Sequence, residues 1–312
     1  MDDAAPRLAT GSSLRGGAAL VEAQSDCPFK AVAAFRLGAD VWPEPIDGLS
    51  APERGMLVHA ALASFWRVVR THAALVELSA AAQSATLDAS IAEAIAAFPA
   101  NRWRTVSPLV QAGEAARLHA LVTSWLDRFE RGRPPFEVSA IESALPLELG
   151  GLALRLRLDR IDTLEHGGAA INDYKTGLVE GADKWFAPRP QAPQLGAYTL
   201  AQRAAHPDEV VRAAAYAQLK PGKLDVRGVA ADADAWPLLK LPSALKHADL
   251  ADWRAVETRW ADALGALGAE IIAGVAPVSP RDRTKTCAHC RRQSLCRIGA
   301  LAIEDRDQDG DE

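Results

Sequence analysis

The hydrophobic period of this chain first switches from helical to alternating at Arg133-Pro134-Pro135, and that change constrains the fold more than any other feature. Before it, apolar residues recur at helical spacing. In residues 53–70, Val58, Leu62, Phe65, Trp66 and Val69 fall on one stripe. Residues 84–98 and 107–131 read as helices too, giving a mainly helical part from 55 to 131. After the prolines the period is two. Segments 137–149, 152–162 and 169–175 read as strands, with Leu154, Leu156 and Leu158 on one face and Arg155, Arg157 and Asp159 on the other. His166-Gly167-Gly168 is a turn signal between the last two. Helices are expected over 190–204 and 251–274, and a further strand over 211–219. Residues 39–52, which hold Pro43, Pro45, Gly48 and Pro52, read as a loop. The small, polar residues 1–20 read as a flexible lead-in.

A hairpin centred on His166 sets Asp159 opposite Asp173. Directly opposed residues have Cβ atoms about 4.5–5.5 Å apart, and like charges there are destabilising. Two such carboxylates call for a cation, and oxygen ligands favour Mg²⁺ or Mn²⁺. Lys175, two residues past Asp173, projects from the same face. A metal-bound water beside an ammonium is a hydrolytic arrangement, in which both cations stabilise charge on a phosphate. A surface hairpin with ordinary charged neighbours is the alternative. Glu142, on the preceding strand, reads as an exposed acid, with a further cleft acid as the other reading.

Leu158-Asp159-Arg160-Ile161-Asp162, followed by Asp173-Tyr174-Lys175-Thr176-Gly177, resembles the core of PD-(D/E)XK nucleases of the RecB/AddB type. The resemblance covers about residues 20–298 and implies a restriction-endonuclease-like α/β fold: a mixed central sheet flanked by helices, with a helical insertion. It implies one nuclease domain over 21–300, with its catalytic core at 137–220. Gln194 and Tyr198 match the family's downstream Gln-x-x-x-Tyr helix, and Gly55 and His59 match its upstream Gly-x-x-x-His. It implies that Asp159, Asp173 and His59 hold the metal, that Lys175 orients water, and that Gln194 and Tyr198 position DNA or Lys175. Taken alone, Gln194 and Tyr198 are also compatible with a half-buried pair, and His59 with a satisfied polar contact.

The four cysteines are Cys27 and a Cys-x2-Cys-x5-Cys run of Cys287, Cys290 and Cys296. Four thiolates suit an iron–sulfur cluster or Zn²⁺. One cysteine before the core and three after it resemble the iron–sulfur staple of AddB-type and CRISPR-associated adaptation nucleases, which implies a structural [4Fe–4S] cluster, with Zn²⁺ as the alternative. Segment 281–297 is basic as well: Arg281, Arg283, Lys285, Arg291 and Arg292 are candidate phosphate contacts, or a solvated face. Arg155, Arg157 and Arg160 are further candidates near the acids.

Composition enters at this point. The 312 residues carry 35 basic and 40 acidic groups, a net charge of −5. Residues 301–312 hold six acids and one arginine, so the rest of the chain is neutral. Net charge therefore neither excludes nor supports DNA binding, and the terminal segment reads as a disordered acidic tail. The expected reaction is metal-dependent hydrolysis of single-stranded or duplex DNA ends, exonuclease-type, in repair or recombination. No Gly-x-x-x-x-Gly-Lys-Ser/Thr loop occurs, so a helicase motor, where one takes part, comes from a partner subunit. The other classes are a non-catalytic DNA-end-binding subunit and a zinc-stabilised interaction module. Acids where a signal peptide carries basic charge, and the lack of a roughly 20-residue apolar span, point to a cytoplasmic protein without membrane contact.

Overall fold

The computed structural model describes residues 4–39, 46–103, 105–288 and 290–299. The proposed acidic tail, 301–312, lies outside them. The N-terminal side holds α1 (Ala18–Asp26), α2 (Pro28–Ala31) and a π-turn over Val32–Arg36. The helical part comprises α3 (Ala51–Val69), α4 (His72–Glu77), α5 (Ala80–Ala97), α6 (Ala100–Trp103) and α7 (Pro108–Trp125). Strands β1 (Phe136–Leu149), β2 (Leu152–Leu164) and β3 (Ala169–Lys175) follow, then α8 (Gln194–Ala205), β4 (Val211–Lys220) and β5 (Lys223–Ala230). Helices α9 (Trp253–Ala273), α10 (Arg283–Ala288) and α11 (Gln293–Cys296) complete the described part.

The five strands form one mixed sheet in the order β1-β2-β3-β4-β5. β3 and β4 are parallel, joined by a crossover through α8, and the other neighbours are antiparallel. Helices cover both faces. On one, Leu20, Val21, Leu195, Ala201, Val256 and Trp260 of α1, α8 and α9 pack on Leu154, Leu156 and Leu158 of β2. On the other, Leu62, Phe65 and Trp66 of α3, with Leu87 of α5 and Val122 of α7, pack on Tyr174, Ala213 and Ala215. The α/β class implied by the resemblance is the observed one.

Local detail alters or adds to the sequence readings at four places. Pro52 sits in the first turn of α3, where its missing N–H costs nothing, and Ser50 caps that helix reciprocally with Glu53. The lead-in is held down by the rest of the chain: Ala5 and Leu8 donate backbone N–H groups to Gly274 and Ile272, and Ser12 accepts one from Ala153. β5 had no counterpart in the periodicity; it pairs with β4 over eight residues. Finally, α9 lies so close to β1 that a Cβ on Gly268 would stand 2.0 Å from the Leu149 carbonyl oxygen.

Candidate active site

The hairpin register pairs Arg160 with Asn172, Ile161 with Ile171 and Asp162 with Ala170, as a turn about His166 requires. Asp159 and Asp173 lie one step beyond the Arg160–Asn172 pair. There the Tyr174 backbone N–H donates to Asp159 Oδ2 at 2.8 Å, so a side-chain carboxylate occupies the position a ladder carbonyl would take.

Side-chain alternation also breaks here. Leu154, Leu156 and Leu158 face the α1/α8/α9 core, yet Arg160 lies over Trp66 of α3, on the opposite face. On β1, Leu145, Leu147 and Leu149 share the first core, while Ile141 packs against the second. Between them Glu142 has φ +52°, a left-handed conformation unusual for a strand glutamate. The register carries Ile141 opposite Arg160 and Ser143 opposite Leu158, leaving Glu142 facing Asp159.

His59 reaches the same point from α3. Gly55, one turn earlier on that helix face, is where α3 meets the loop after β3: a Cβ there would be 3.3 Å from Thr176 Oγ1. His59 Nδ1 is 3.2 Å from Asp159 Oδ1, and its ring meets Tyr174 edge-on with centroids 5.9 Å apart. Ligand atoms of His59, Glu142 and Asp159 all lie within 4.8 Å of one another. Glu142, read from sequence as an exposed acid, is thus part of the cluster. The signal that would have found it is its position opposite Asp159 once the β1–β2 register is known.

Asp173 stands beside this trio, paired with Lys175 through Nζ to Oδ2 at 2.6 Å. Burial pushes its carboxyl up to about 6; the charge of Asp159 adds to this, while Lys175 works the other way. Burial and Asp159 also raise Glu142, against Arg157 and His59. For His59, burial disfavours the charged ring, but the hydrogen bond to Asp159 and the charges of Asp159 and Asp173 outweigh it and raise its pKa. Tyr198 is buried, and burial with the charges of Asp173 and Asp159 pushes its hydroxyl up. Gln194 opens α8 and lines a cleft of about 430 Å³ with Lys175, Tyr216, Glu22 and Lys285. Asp173, Glu142 and His59 thus shift toward protonation, as expected beside excess negative charge that a cation would relieve.

A buried network centred on Arg160 fixes the frame of the cluster. Arg160 is 1% exposed and spends all five N–H groups inside the protein. It bonds Asp162 (2.6 and 2.8 Å), Glu130 (3.0 and 3.1 Å) and the Tyr174 hydroxyl (3.2 Å). It cannot touch DNA, which corrects the sequence reading; the break in alternation turned it inward.

The basic strip is corrected in part. Arg281 donates to Ser25 Oγ and the Pro190 carbonyl and pairs with Asp26 at 2.8 Å. Arg283 donates to the Ile298 carbonyl and Arg292 to that of Ala39, and Arg291 is engaged within the chain as well. Arg281 and Arg292 thereby clasp the two ends of the described chain together. Lys285 faces the cleft. Beside this clasp, Cys27 is the N-cap of α2 and 8% exposed. Burial raises the Cys287 thiol, and Cys290, Cys27 and Cys296 raise it further. Among the described residues, no three of their sulfurs lie within 4.8 Å of one another.

The model of the PD-(D/E)XK nuclease superfamily matches residues 19–297. The chain belongs to that superfamily. Two solved structures share its outline at low similarity. One, from Eubacterium rectale, is named as a candidate exonuclease: it is 10% identical with a TM-score of 0.40, over 89% of this chain and 86% of its own. The other, SSO0001, is 13% identical with a TM-score of 0.30, over 89% and 93%. Likeness this distant carries no argument about activity. No curated protein gives a significant match. No helix among the described residues is long and apolar enough to cross a membrane.

Proposed function

We propose that this protein is a metal-dependent deoxyribonuclease of the RecB/AddB type that processes DNA ends, with Mg²⁺ or Mn²⁺ at the acidic cluster. The observation that carries this reading is the convergence of His59, Glu142 and Asp159 within 4.8 Å, beside the Asp173–Lys175 ion pair. The donor set fits a divalent cation: carboxylates suit Mg²⁺ and Mn²⁺, and the added imidazole suits Mn²⁺ at least as well. His59, Glu142 and Asp159 would hold the ion, with Asp173 alongside. When bound, the ion supplies Lewis acidity and a lowered water pKa.

The chain's own groups then have separate tasks. Lys175 orients the attacking water and offsets charge building up on the phosphate. Tyr198 holds Asp173 in place from α8, and Gln194 positions the strand along the cleft. Lys285 is the member of the basic strip best placed to meet a phosphate, since it lines that cleft. Cleavage proceeds from DNA ends, single-stranded or duplex, in repair or recombination.

The four cysteines are assigned to a structural [4Fe–4S] cluster. What supports this reading is the arrangement of Cys27 with the Cys287, Cys290 and Cys296 run, Cys27 following directly on Asp26, which Arg281 holds.

The test is cleavage by anaerobically purified protein on single-stranded and duplex DNA with free, 5′-blocked or 3′-blocked ends. Hydrolysis should require Mg²⁺ or Mn²⁺, stop with EDTA, and disappear in Asp173→Ala and Lys175→Ala variants that remain folded. Undiminished cleavage by both variants refutes the assignment.

A further inference from the structure

Arg157 holds the one cluster carboxylate whose backbone is unusual. Its Nε forms an ion pair with Glu142 Oε2, across the strand pair from the φ +52° turn. The two partners differ in setting: the Glu142 side chain is 17% exposed and the Arg157 side chain 71%. The carboxylate is therefore fixed in the site, whereas the guanidinium lies at its rim and can leave without disturbing packing. Backbone conformations of this kind persist where the surroundings over-determine them, and they gather at functional sites. Here the turn aims Glu142 toward both His59 and Asp159 and the arginine.

A guanidinium and a divalent cation compete for Glu142. A cation between His59, Glu142 and Asp159 brings two positive charges to a carboxylate that Arg157 already balances with one. Once the carboxylate turns to the stronger charge, the arginine is left at the mouth of the site without its anion. A phosphate is the anion that a planar fork of N–H donors suits best.

We propose that Arg157 is an exchangeable counterion: it neutralises Glu142 until a divalent cation takes that carboxylate, and the freed guanidinium then binds a phosphate of the nucleic-acid strand. This rests on the metal-dependent nuclease reading above. It makes nucleic-acid binding depend on metal loading through one side chain. It also gives Arg157 opposite effects on the two ligands, which neither a plain surface ion pair nor a plain phosphate contact does.

The experiment uses the full chain and two titrations. Mn²⁺ binding without nucleic acid is measured by calorimetry for the unaltered protein, Arg157→Ala and Arg155→Ala. Arg155 is exposed two residues away on the same strand and serves as the control for general charge. Removing the competitor should tighten Mn²⁺ binding about threefold in Arg157→Ala, the size of a partly exposed ion pair, and leave Arg155→Ala unchanged. Binding of a single-stranded oligonucleotide is then measured against salt, with and without Mn²⁺, in a Lys175→Ala background that prevents cleavage. The salt slope should steepen by about 0.7–0.9 on adding Mn²⁺, the value of one further phosphate contact, and Arg157→Ala should abolish that increment. Mn²⁺ affinity unchanged in Arg157→Ala, equal tightening in Arg155→Ala, or an increment that survives in Arg157→Ala overturns the exchange. Failure of the unaltered protein to bind Mn²⁺ at all overturns instead the metal reading beneath it.

Discussion

Replacing Arg160 by Met should destabilise the protein strongly, with a pH dependence set by Glu130. Arg160 and Arg133 face Glu130 and Asp162 in a cluster of two positive and two negative charges, each side chain 1% exposed or less. Methionine approximates the aliphatic stem but leaves two carboxylates facing one guanidinium. Breaking one partner of such a buried set costs about 3–5 kcal/mol, a large share of the roughly 5–15 kcal/mol that holds a domain folded. Burial works to raise the Glu130 pKa, but the charges of Arg160 and Arg133 outweigh it and hold the carboxyl below its ordinary value of 4.5. A depressed carboxyl adds stability above pH 4.5 that is lost as pH falls through its folded value. Without Arg160, burial prevails and the folded value rises above 4.5. The group then favours the folded state at low pH and opposes it as pH rises. The penalty in Arg160→Met should therefore grow from pH 4.5 to pH 7.5. Urea unfolding followed by circular dichroism, in EDTA, measures it. Arg160→Met/Glu130→Gln should recover part of the loss, because Arg133 and Asp162 then balance. A loss below 1 kcal/mol, or one that does not change with pH, refutes the reasoning.

Two further outcomes test other parts of the structure. Cys27→Ser should lose bound iron and the absorbance near 400 nm expected of a cluster; iron and sulfide unchanged from the unaltered protein would separate Cys27 from the C-terminal three. Gly268→Ala places a methyl where the Leu149 carbonyl oxygen stands 2.0 Å away, so α9 must move off β1. The expected cost is about 1–3 kcal/mol, read as a lower urea midpoint, and a midpoint at or above that of the unaltered protein would contradict the close packing.

What could be read from the sequence follows from how many residues share one constraint. The β2–β3 hairpin register was legible because alternating leucines and the Gly167-Gly168 turn restrict it together, and a slip of one residue would turn Leu154, Leu156 and Leu158 out of their core. β5 had no such support. Lys223, Asp225 and Arg227 alternate with apolar residues, but Gly228 interrupts the strand, and only its pairing with β4 defines it. The face exchange at Glu142 and Asp159 was hidden for a sharper reason. Ala140-Ile141-Glu142-Ser143-Ala144 contains no glycine to mark a left-handed turn, so alternation continued through it on paper. Two residues were misread as a result: Glu142 as exposed and Arg160 as a DNA contact. Charge alone cannot separate the fates of Arg157, Arg160 and Arg281. Each is one guanidinium; what differs is whether its anion is Glu142 at the site rim, Glu130 thirty residues back, or Asp26 at the far end of the chain. Local sequence places a charge on an element. Long-range pairing decides whether that charge is consumed by the fold.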